Sequence, residues 1–150
     1  MISLKSILTE IQNNIGIGLT YPLVLNQSNI AADTKSIIDN QAKVNYSIHV
    51  IAPSEIGEDR STTGLTTARV DGQFGILIGI KNVADAIGSD VQDPLKDYRE
   101  SVANVLTGFL PTGATRPLVF TSGNPIQLGN DGIFWQLDTY TTGYNLRQIL

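Results

Sequence analysis

Hydrophobic positions near the N-terminus recur at the spacing of one helical face. Within residues 2–14 the apolar side chains stand at i, i+3, i+4 and i+7: Leu4, Ile7, Leu8 and Ile11. Residues three and four apart lie on the same side of an α-helix, so this spacing buries one stripe and exposes the rest. The pattern predicts an amphipathic helix that ends near Gly16.

Alternation of apolar and polar residues predicts two strands in the first half of the chain. The first, 43–51, divides into a face with Val44, Tyr46, Ile48 and Val50 and a face with Asn45, Ser47 and His49. The second, 73–81, divides into a face with Phe74, Ile76, Ile78 and Ile80 and a face with Gly75, Leu77 and Gly79. Successive side chains of a strand point to opposite faces, so the first strand is predicted to be half-buried. The glycines of the second indicate close approach of another element.

Three further segments of this half are less regular. Residues 21–25 are short and β-prone, which predicts a strand with Pro22 near its start or at a sheet edge. Residues 26–42 are ambiguous, with a short helix around Ile37 and Ile38 as one interpretation. Residues 53–72 are polar and contain few large apolar side chains: Ile56, Leu65 and Val70. This composition predicts a long polar loop that projects from the domain and is mobile in the free subunit.

The second half begins with a longer predicted helix. Asp93 followed by Pro94 is typical of an N-cap and a first helical turn, and Gly108 and Pro111 end the helix. The apolar face of this helix consists of Leu95, Tyr98, Val102, Val105, Leu106 and Phe109. We expect four residues of this face to lie in the core against a sheet: Val102, Val105, Leu106 and Phe109.

The remainder of the chain predicts three β-like pieces, at 118–121, 126–128 and 133 to about 141. Residues 129–132 read Gly-Asn-Asp-Gly and predict a hairpin turn, because these residues tolerate positive φ angles. Trp135 is expected in the core. The element order, α-β-(α)-β-β-α-β-β, predicts a single α+β domain over 1–150 with a mostly antiparallel sheet, mixed pairing remaining open. We expect the N-terminal and central amphipathic helices to pack on one side of that sheet.

Composition limits the function classes. The chain has 150 residues, 41% of them hydrophobic and 16% charged, which is enough apolar content for one folded domain. Ten Lys and Arg against 14 Asp and Glu give a net charge of −4, so there is no cationic excess for binding phosphates. There are no cysteines, apolar runs are too short to cross a bilayer, and the N-terminus lacks the uniform apolar stretch of a signal peptide. A soluble protein without membrane or specific nucleic-acid binding is expected.

Candidate chemistry is sparse. His49 is the only histidine, and no G-x-S-x-G motif supplies a nucleophile, so we expect a surface or interface histidine. Three acidic residues lie close together in the sequence: Asp90, Asp93 and Asp97. A metal site is the weaker explanation, because Asp93 is expected to cap the helix, Asp97 lies in the first turn where the helix dipole favours negative charge, and Asp90 belongs to the preceding loop.

Two short motifs are also better explained without a ligand. Residues 129–132 occur once and predict a turn rather than a calcium repeat, and residues 112–116 lack the lysine and spacing of a phosphate-binding loop. We therefore expect no catalytic, metal-binding or cofactor-binding residues and no enzyme activity. A small enzyme or ligand-binding module remains the alternative from another class, and it would require a deep pocket with convergent polar groups.

The second half resembles a known family. A helix ends in Leu106-Thr107-Gly108-Phe109-Leu110-Pro111, and Arg116-Pro117-Leu118-Val119-Phe120 and Ser122-Gly123 follow. Asn130-Asp131-Gly132 then precedes Phe134-Trp135-Gln136 and Tyr140, and Gly79-Ile80-Lys81-Asn82 stands before the helix. This succession over about 93–147 resembles the tail-terminator proteins of contractile-tailed bacteriophages, whereas residues 1–70 match them only in element order.

The resemblance implies a structural virion protein. It implies a homohexameric ring that caps the tail tube, stops its polymerisation and joins the tail to the neck, at the head-proximal end of the virion after assembly in the host cytoplasm. The implied partners are further copies of the chain, tube protein and sheath and neck or connector proteins, with DNA passing through the ring without specific binding and no cofactor. A head-to-tail connector or tail-completion protein is the alternative in this class. Within the predicted loop, we expect ring, tube or lumen contacts from Glu55, Glu58, Asp59 and Arg60.

Overall fold

The computed structural model describes residues 1–17, 19, 23–40, 46–81, 92–126 and 133–147. Within them the elements are α1 (Leu4–Asn14), β1 (Gln27–Ala31), α2 (Thr34–Asn40), β2 (Tyr46–Asp59), β3 (Thr67–Lys81), α3 (Gln92–Leu106), β4 (Arg116–Ile126) and β5 (Ile133–Arg147). This order agrees with the predicted α-β-α-β-β-α-β-β succession and includes the short helix around Ile37 and Ile38, but its first strand is Gln27–Ala31, in the segment that the sequence left ambiguous.

The strands form one mixed sheet in the order β1-β2-β3-β5-β4. β1 pairs with β2 in parallel, and the pairs β2–β3, β3–β5 and β4–β5 are antiparallel. The α+β class is therefore confirmed. Antiparallel pairing of Ile126 with Trp135 joins the strands on either side of the predicted hairpin turn, whose residues 129–132 lie outside the described part of the chain.

The first helix forms where its pattern predicts. Ser3 is the N-cap, and its Oγ accepts a hydrogen bond of 3.2 Å from the backbone N–H of Ser6. The helix ends at Asn14, and Gly16 beyond it has a φ of 84°. Glycine is favoured there because a side chain is strained at positive φ. The helix buries Ile7 and Ile11 completely.

Helices α1 and α3 cover one face of the sheet, which we name the front face. Their buried side chains pack with Ile48, Val50, Ile76 and Ile78 in one cluster. Val102 and Leu106 are fully buried there, while Val105 and Phe109 are partly buried and pack against it. The front face thus contains the larger hydrophobic core.

Helix α2 covers the opposite face, which we name the back face. Its Ile37 packs with Ile51, Leu77, Ile133 and Trp135. The glycines of β3 permit this packing: a Cβ at Gly79 would lie 2.5 Å from Trp135 Cζ3, and one at Gly75 would lie 2.6 Å from Leu137 Cδ1. Close approach at these glycines is confirmed, and helices lie on both sides of the sheet.

Two predicted boundaries are wrong. Residues 23–25 are not a strand, and Tyr21 and Pro22 lie outside the described part; pairing with β2 begins only at Gln27. A β-prone segment forms a strand only where a partner is available, and the pairing register decides that. Helix α3 begins at Gln92, so Asp93 lies within its first turn and is not its N-cap.

The prediction of a long polar loop over 53–72 is also wrong. Strand β2 continues to Asp59 and β3 begins at Thr67, with pairs from Ser54↔Gln73 to Asp59↔Ala68. Cross-strand backbone hydrogen bonds do not require apolar side chains, so polar composition did not reveal these strands. The register of β2 against β3 shifts between Ile51 and Ser54. Pro53 lies at this irregularity, where a strand tolerates proline. We name residues 54–73 and 141–147 the arm, because β5 pairs with β3 along this end of the sheet as far as Arg147.

Candidate assembly surface

The β2 side of the arm and its tip are exposed to solvent. Every residue from 54 to 64 is exposed. Ile56 is 75% exposed and Leu146 is 46% exposed, and beside the arm Val119 is 54% exposed. Single exposed apolar side chains are common on protein surfaces, but in the arm they accompany charged residues that the register separates onto two faces. The arm is therefore the candidate surface for assembly.

The register assigns the four predicted contact residues to different places. Glu55 pairs with Gly72 and Asp59 with Ala68, so both side chains point to the front face. Glu58 pairs with Arg69, so its side chain points to the back face. Arg60 lies just beyond β2 and bonds to Glu58 at 3.0 Å, which places it with the back-face group. The structure therefore separates these residues into two surfaces.

The front face of the arm is acidic. The Glu55 carboxylate accepts a 2.9 Å hydrogen bond from Tyr144 Oη. Burial first, and this hydrogen bond second, raise the pKa of Tyr144. Asp59 Oδ1 accepts a 2.8 Å bond from the Ser61 N–H, and hydrogen bonding to Ser61 lowers the pKa of Asp59. Neither Lys nor Arg occurs among the front-facing arm residues, 55, 57, 59, 68, 70, 72, 142, 144 and 146.

The back face of the arm is basic. A groove of about 500 Å³ is lined in part by four arginines: Arg60, Arg69, Arg116 and Arg147. The carboxylates on this face are Glu58, bonded to Arg60, and Asp71, which lies 3.3 Å from Arg69 and 2.8 Å from Arg116. Two carboxylates against four guanidinium groups leave this face positive, although the chain as a whole carries a net charge of −4.

Sequence reasoning missed Arg69, Arg116 and Arg147 as candidate surface residues. They are separated by 47 and 31 positions along the chain, and no local motif contains any two of them. Pairing of Arg69 with Asn145, of Thr67 with Arg147 and of Arg116 with Gly143 brings them together. Only the cross-strand register carries this information.

His49 is fully buried, which corrects the expectation of a surface or interface histidine. α2 and the paired strands enclose the back face, so the apparent polar face of β2 is interior. Its Nδ1 bonds to Asn29 Oδ1, and its ring lies 6.0 Å from that of Trp135. Burial lowers the pKa of His49 to about 4, so the ring is neutral at physiological pH.

A second buried polar group lies on the front face beside α3. Arg99 Nε donates to both oxygens of Asp138 at 3.1 and 3.0 Å, and Gln136 Nε2 donates to Asp138 Oδ1 at 3.0 Å. Asp138 is only 2% exposed. A Cβ at Gly123 would lie 2.6 Å from Asp138 Oδ1, so this glycine makes room for the group. The bonds tie α3 to the sheet and give the cluster a structural explanation.

The remaining candidates from the sequence are the 112–116 segment and the acidic residues near the start of α3. Thr112 accepts from the Ser3 N–H at 2.8 Å through its carbonyl, and its own N–H donates to Ser6 Oγ at 3.1 Å, so the 112–116 segment holds the start of α1. Asp90 and the side chain of Asp93 lie outside the described part of the chain. In the remaining residues no group of three His, Asp or Glu side chains could hold a metal ion. None of the helices so described is long and apolar enough to span a membrane.

Comparison with known proteins supplies the family. A search of the curated proteins gave no match. A family model described as phage tail terminator protein matches residues 25–149, which include every described strand and helices α2 and α3. The match covers most of the chain and includes residues 25–70, for which the sequence showed only element order. The chain therefore belongs to the phage tail terminator protein family and has a structural role in the tail of a bacteriophage virion.

Proposed function

We propose that this protein forms a closed homohexameric ring that caps the tail tube at its head-proximal end. The ring stops polymerisation of tube protein and provides the joint to the neck. It contributes contact surfaces and catalyses no reaction. Assembly takes place in the host cytoplasm, and the finished ring remains in the virion.

The arm is the structural feature that supports this proposal. The two hydrophobic clusters, against α1 and α3 on the front and against α2 on the back, include no residue of the arm. The arm nevertheless continues as a paired three-stranded sheet and exposes Ile56 and Leu146. Such a rigid extension suits contact with neighbouring subunits, because little conformational entropy is lost when it binds.

Further partners follow from the position at the tube end. One rim of the ring contacts the last ring of tube protein, and the other contacts a neck or connector protein, with sheath protein outside. DNA passes through the channel without specific binding. The net charge of −4 favours that passage, because like charge keeps a duplex from adhering to the wall.

Electron microscopy of tails tests the proposal. Tails that contain the protein should show sixfold density for it at the head-proximal tip, and purified protein added to tubes should stop their growth in vitro. Phage that lack the protein should produce tubes of irregular length without attached heads. As a matched control, a variant with substitutions at exposed positions away from the arm, Lys5→Glu with Lys35→Glu, should cap tubes normally.

Other observations would contradict the proposal. A symmetry other than sixfold, or absence of the protein from the tube end, would contradict the proposed hexameric ring. Binding to a portal-adaptor protein without binding to tube protein would assign the chain to the connector instead. Tubes that still end at wild-type length without the protein would show that it does not control polymerisation.

A further inference from the structure

We propose that the arm joins consecutive copies in the ring, with the acidic front face of one arm against the basic back face of the next. This inference rests on the ring proposed above and names the surfaces that form it. In a ring with cyclic symmetry every contact joins two different patches of the subunit. The arm presents two such patches: on the front the exposed residues are Glu55, Gly57, Asp59 and Leu146, and on the back lies the arginine-lined groove.

The charges of the two faces are complementary. Glu55 and Asp59 point to the front, and no basic residue of the arm shares that face. Arg60, Arg69, Arg116 and Arg147 line the back-face groove. Arg147 has no carboxylate within 4 Å among the described residues. Arg60 and Arg69 each bond to one carboxylate, Glu58 and Asp71, and about half of each of these carboxylate side chains is exposed. These guanidinium groups therefore have hydrogen-bonding capacity left for carboxylates of a neighbour.

Each face also carries an exposed apolar side chain. Leu146 pairs with Ala68 and points to the front, and Ile56 pairs with Asp71 and points to the back. Val119 pairs with Thr141 and extends the back surface beyond the arm. Interfaces typically combine an apolar centre with a polar rim, and both faces of the arm provide these components.

A second copy fits the groove better than a nucleic acid does. Glu58 and Asp71 lie on the same face as the four arginines and bond to three of them. Carboxylates on the same face as a groove weaken its attraction for phosphates, whereas they limit a protein interface to partners whose charges fit. The front face of another copy supplies the carboxylates that would match.

Paired charge reversal tests the interface. One variant carries Arg60→Glu and Arg147→Glu on the back, and the other carries Glu55→Lys and Asp59→Lys on the front. Like charges then meet in each variant alone, and we expect at least about a tenfold loss of ring assembly, measured by native mass spectrometry or on tubes. Mixed in equal amounts, the two variants should assemble again, because each front then faces an opposite back.

The rescued ring has a distinctive composition. Copies must alternate, so a hexamer should contain three of each variant, and native mass spectrometry resolves this. Far-UV circular dichroism and chemical denaturation check that each variant is folded. The Lys5→Glu, Lys35→Glu variant changes the net charge as much as the back-face variant does and should assemble like wild type.

Each other outcome has a defined meaning. Normal assembly of either reversed variant alone would overturn this interface while leaving the ring intact. Folded variants that fail alone and also fail as a mixture would overturn the pairing of these two faces. Loss of DNA binding by the back-face variant, with assembly unchanged, would assign the groove to nucleic acid. Failure of the wild-type protein to assemble either alone or on tubes would instead overturn the ring itself.

Discussion

Arg116 reaches across strand β5 at the position of Gly143. The two residues are paired in the β4–β5 register, and the guanidinium continues to β3, where it donates to the Val70 carbonyl at 2.6 Å and to Asp71 at 2.8 Å. A Cβ at Gly143 would overlap both Arg116 Nη2 and the Val70 carbonyl oxygen. The missing side chain thus lets one arginine tie three strands together at the base of the arm.

Gly143→Ala should destabilise the protein. The added methyl group must displace the guanidinium or the β3 backbone, and we expect a loss of about 1–3 kcal/mol in the free energy of unfolding, measured by chemical denaturation. Gly57→Ala, also in the arm, is the control, because a Cβ there meets nothing within 4 Å. Its effect should stay within about 0.5 kcal/mol. Equal effects of the two substitutions would show that Arg116 does not depend on Gly143.

Leu106→Ala should remove core packing from α3. Leu106 is fully buried in the front-face cluster, so truncation leaves a cavity and should cost about 2–5 kcal/mol in chemical denaturation. Leu110→Ala is the matched control, since Leu110 is 53% exposed just beyond the helix. A change below about 0.5 kcal/mol for Leu106→Ala would contradict the packing of this helix on the sheet.

Acidification should weaken the fold through His49. Burial lowers the pKa of His49 to about 4 in the folded protein, whereas an unfolded histidine titrates near 6.5. Between these values the unfolded chain binds the proton more readily, so the free energy of unfolding falls as the pH falls from about 7 to about 4. The expected loss is on the order of 3 kcal/mol.

The only histidine of the chain makes this prediction easy to isolate. In His49→Gln the loss between pH 7 and pH 5 should disappear, because the remaining acidic groups titrate mostly at lower pH. Denaturation curves at four or five pH values measure both proteins. Parallel pH profiles for the two would show that His49 is not buried in its neutral form.

The turn at the tip of the arm should tolerate shortening. Arg60 and Thr67 are joined by a backbone hydrogen bond of 2.9 Å, so Asn-Gly can replace Ser61–Thr66 as a two-residue hairpin turn in the same register. We expect a change within about 1 kcal/mol in stability and normal tube capping, because both charged faces remain. Tails of irregular length from this variant would show that the tip itself makes an essential contact.

Removal of the whole segment 55–69 should have a different result. Those residues include paired backbone of β2 and β3, and Val70 and Tyr144 beside them are only 5% and 3% exposed. Their loss would leave unpaired strand edges and uncover apolar surface, so we expect lower stability and aggregation in addition to defective assembly. Light scattering during purification would detect this difference between the two deletions.

Local patterns determined the elements whose burial depends on their own periodicity. The apolar spacing of α1 and α3 selected the helix faces that pack on the sheet, and Ile48 and Val50 alternated as a strand with a buried side does. Gly75 and Gly79 indicated close packing because only another element fills the space that a missing side chain leaves. These are properties of neighbouring residues, so the sequence by itself sufficed.

Tertiary structure decided which surfaces are covered and which charges meet. His49 and Ser47 looked exposed on a polar strand face, yet α2 and Trp135, distant in sequence, bury that face. The polar segment 53–72 looked like a loop, since strands in an extended arm satisfy their backbone by pairing and need no apolar side chains. The separation of acidic and basic residues onto two faces depends on the register shift near Pro53 and on the pairing of β3 with β5. Register is set by contacts between residues far apart along the chain, and no single segment of the sequence contains it.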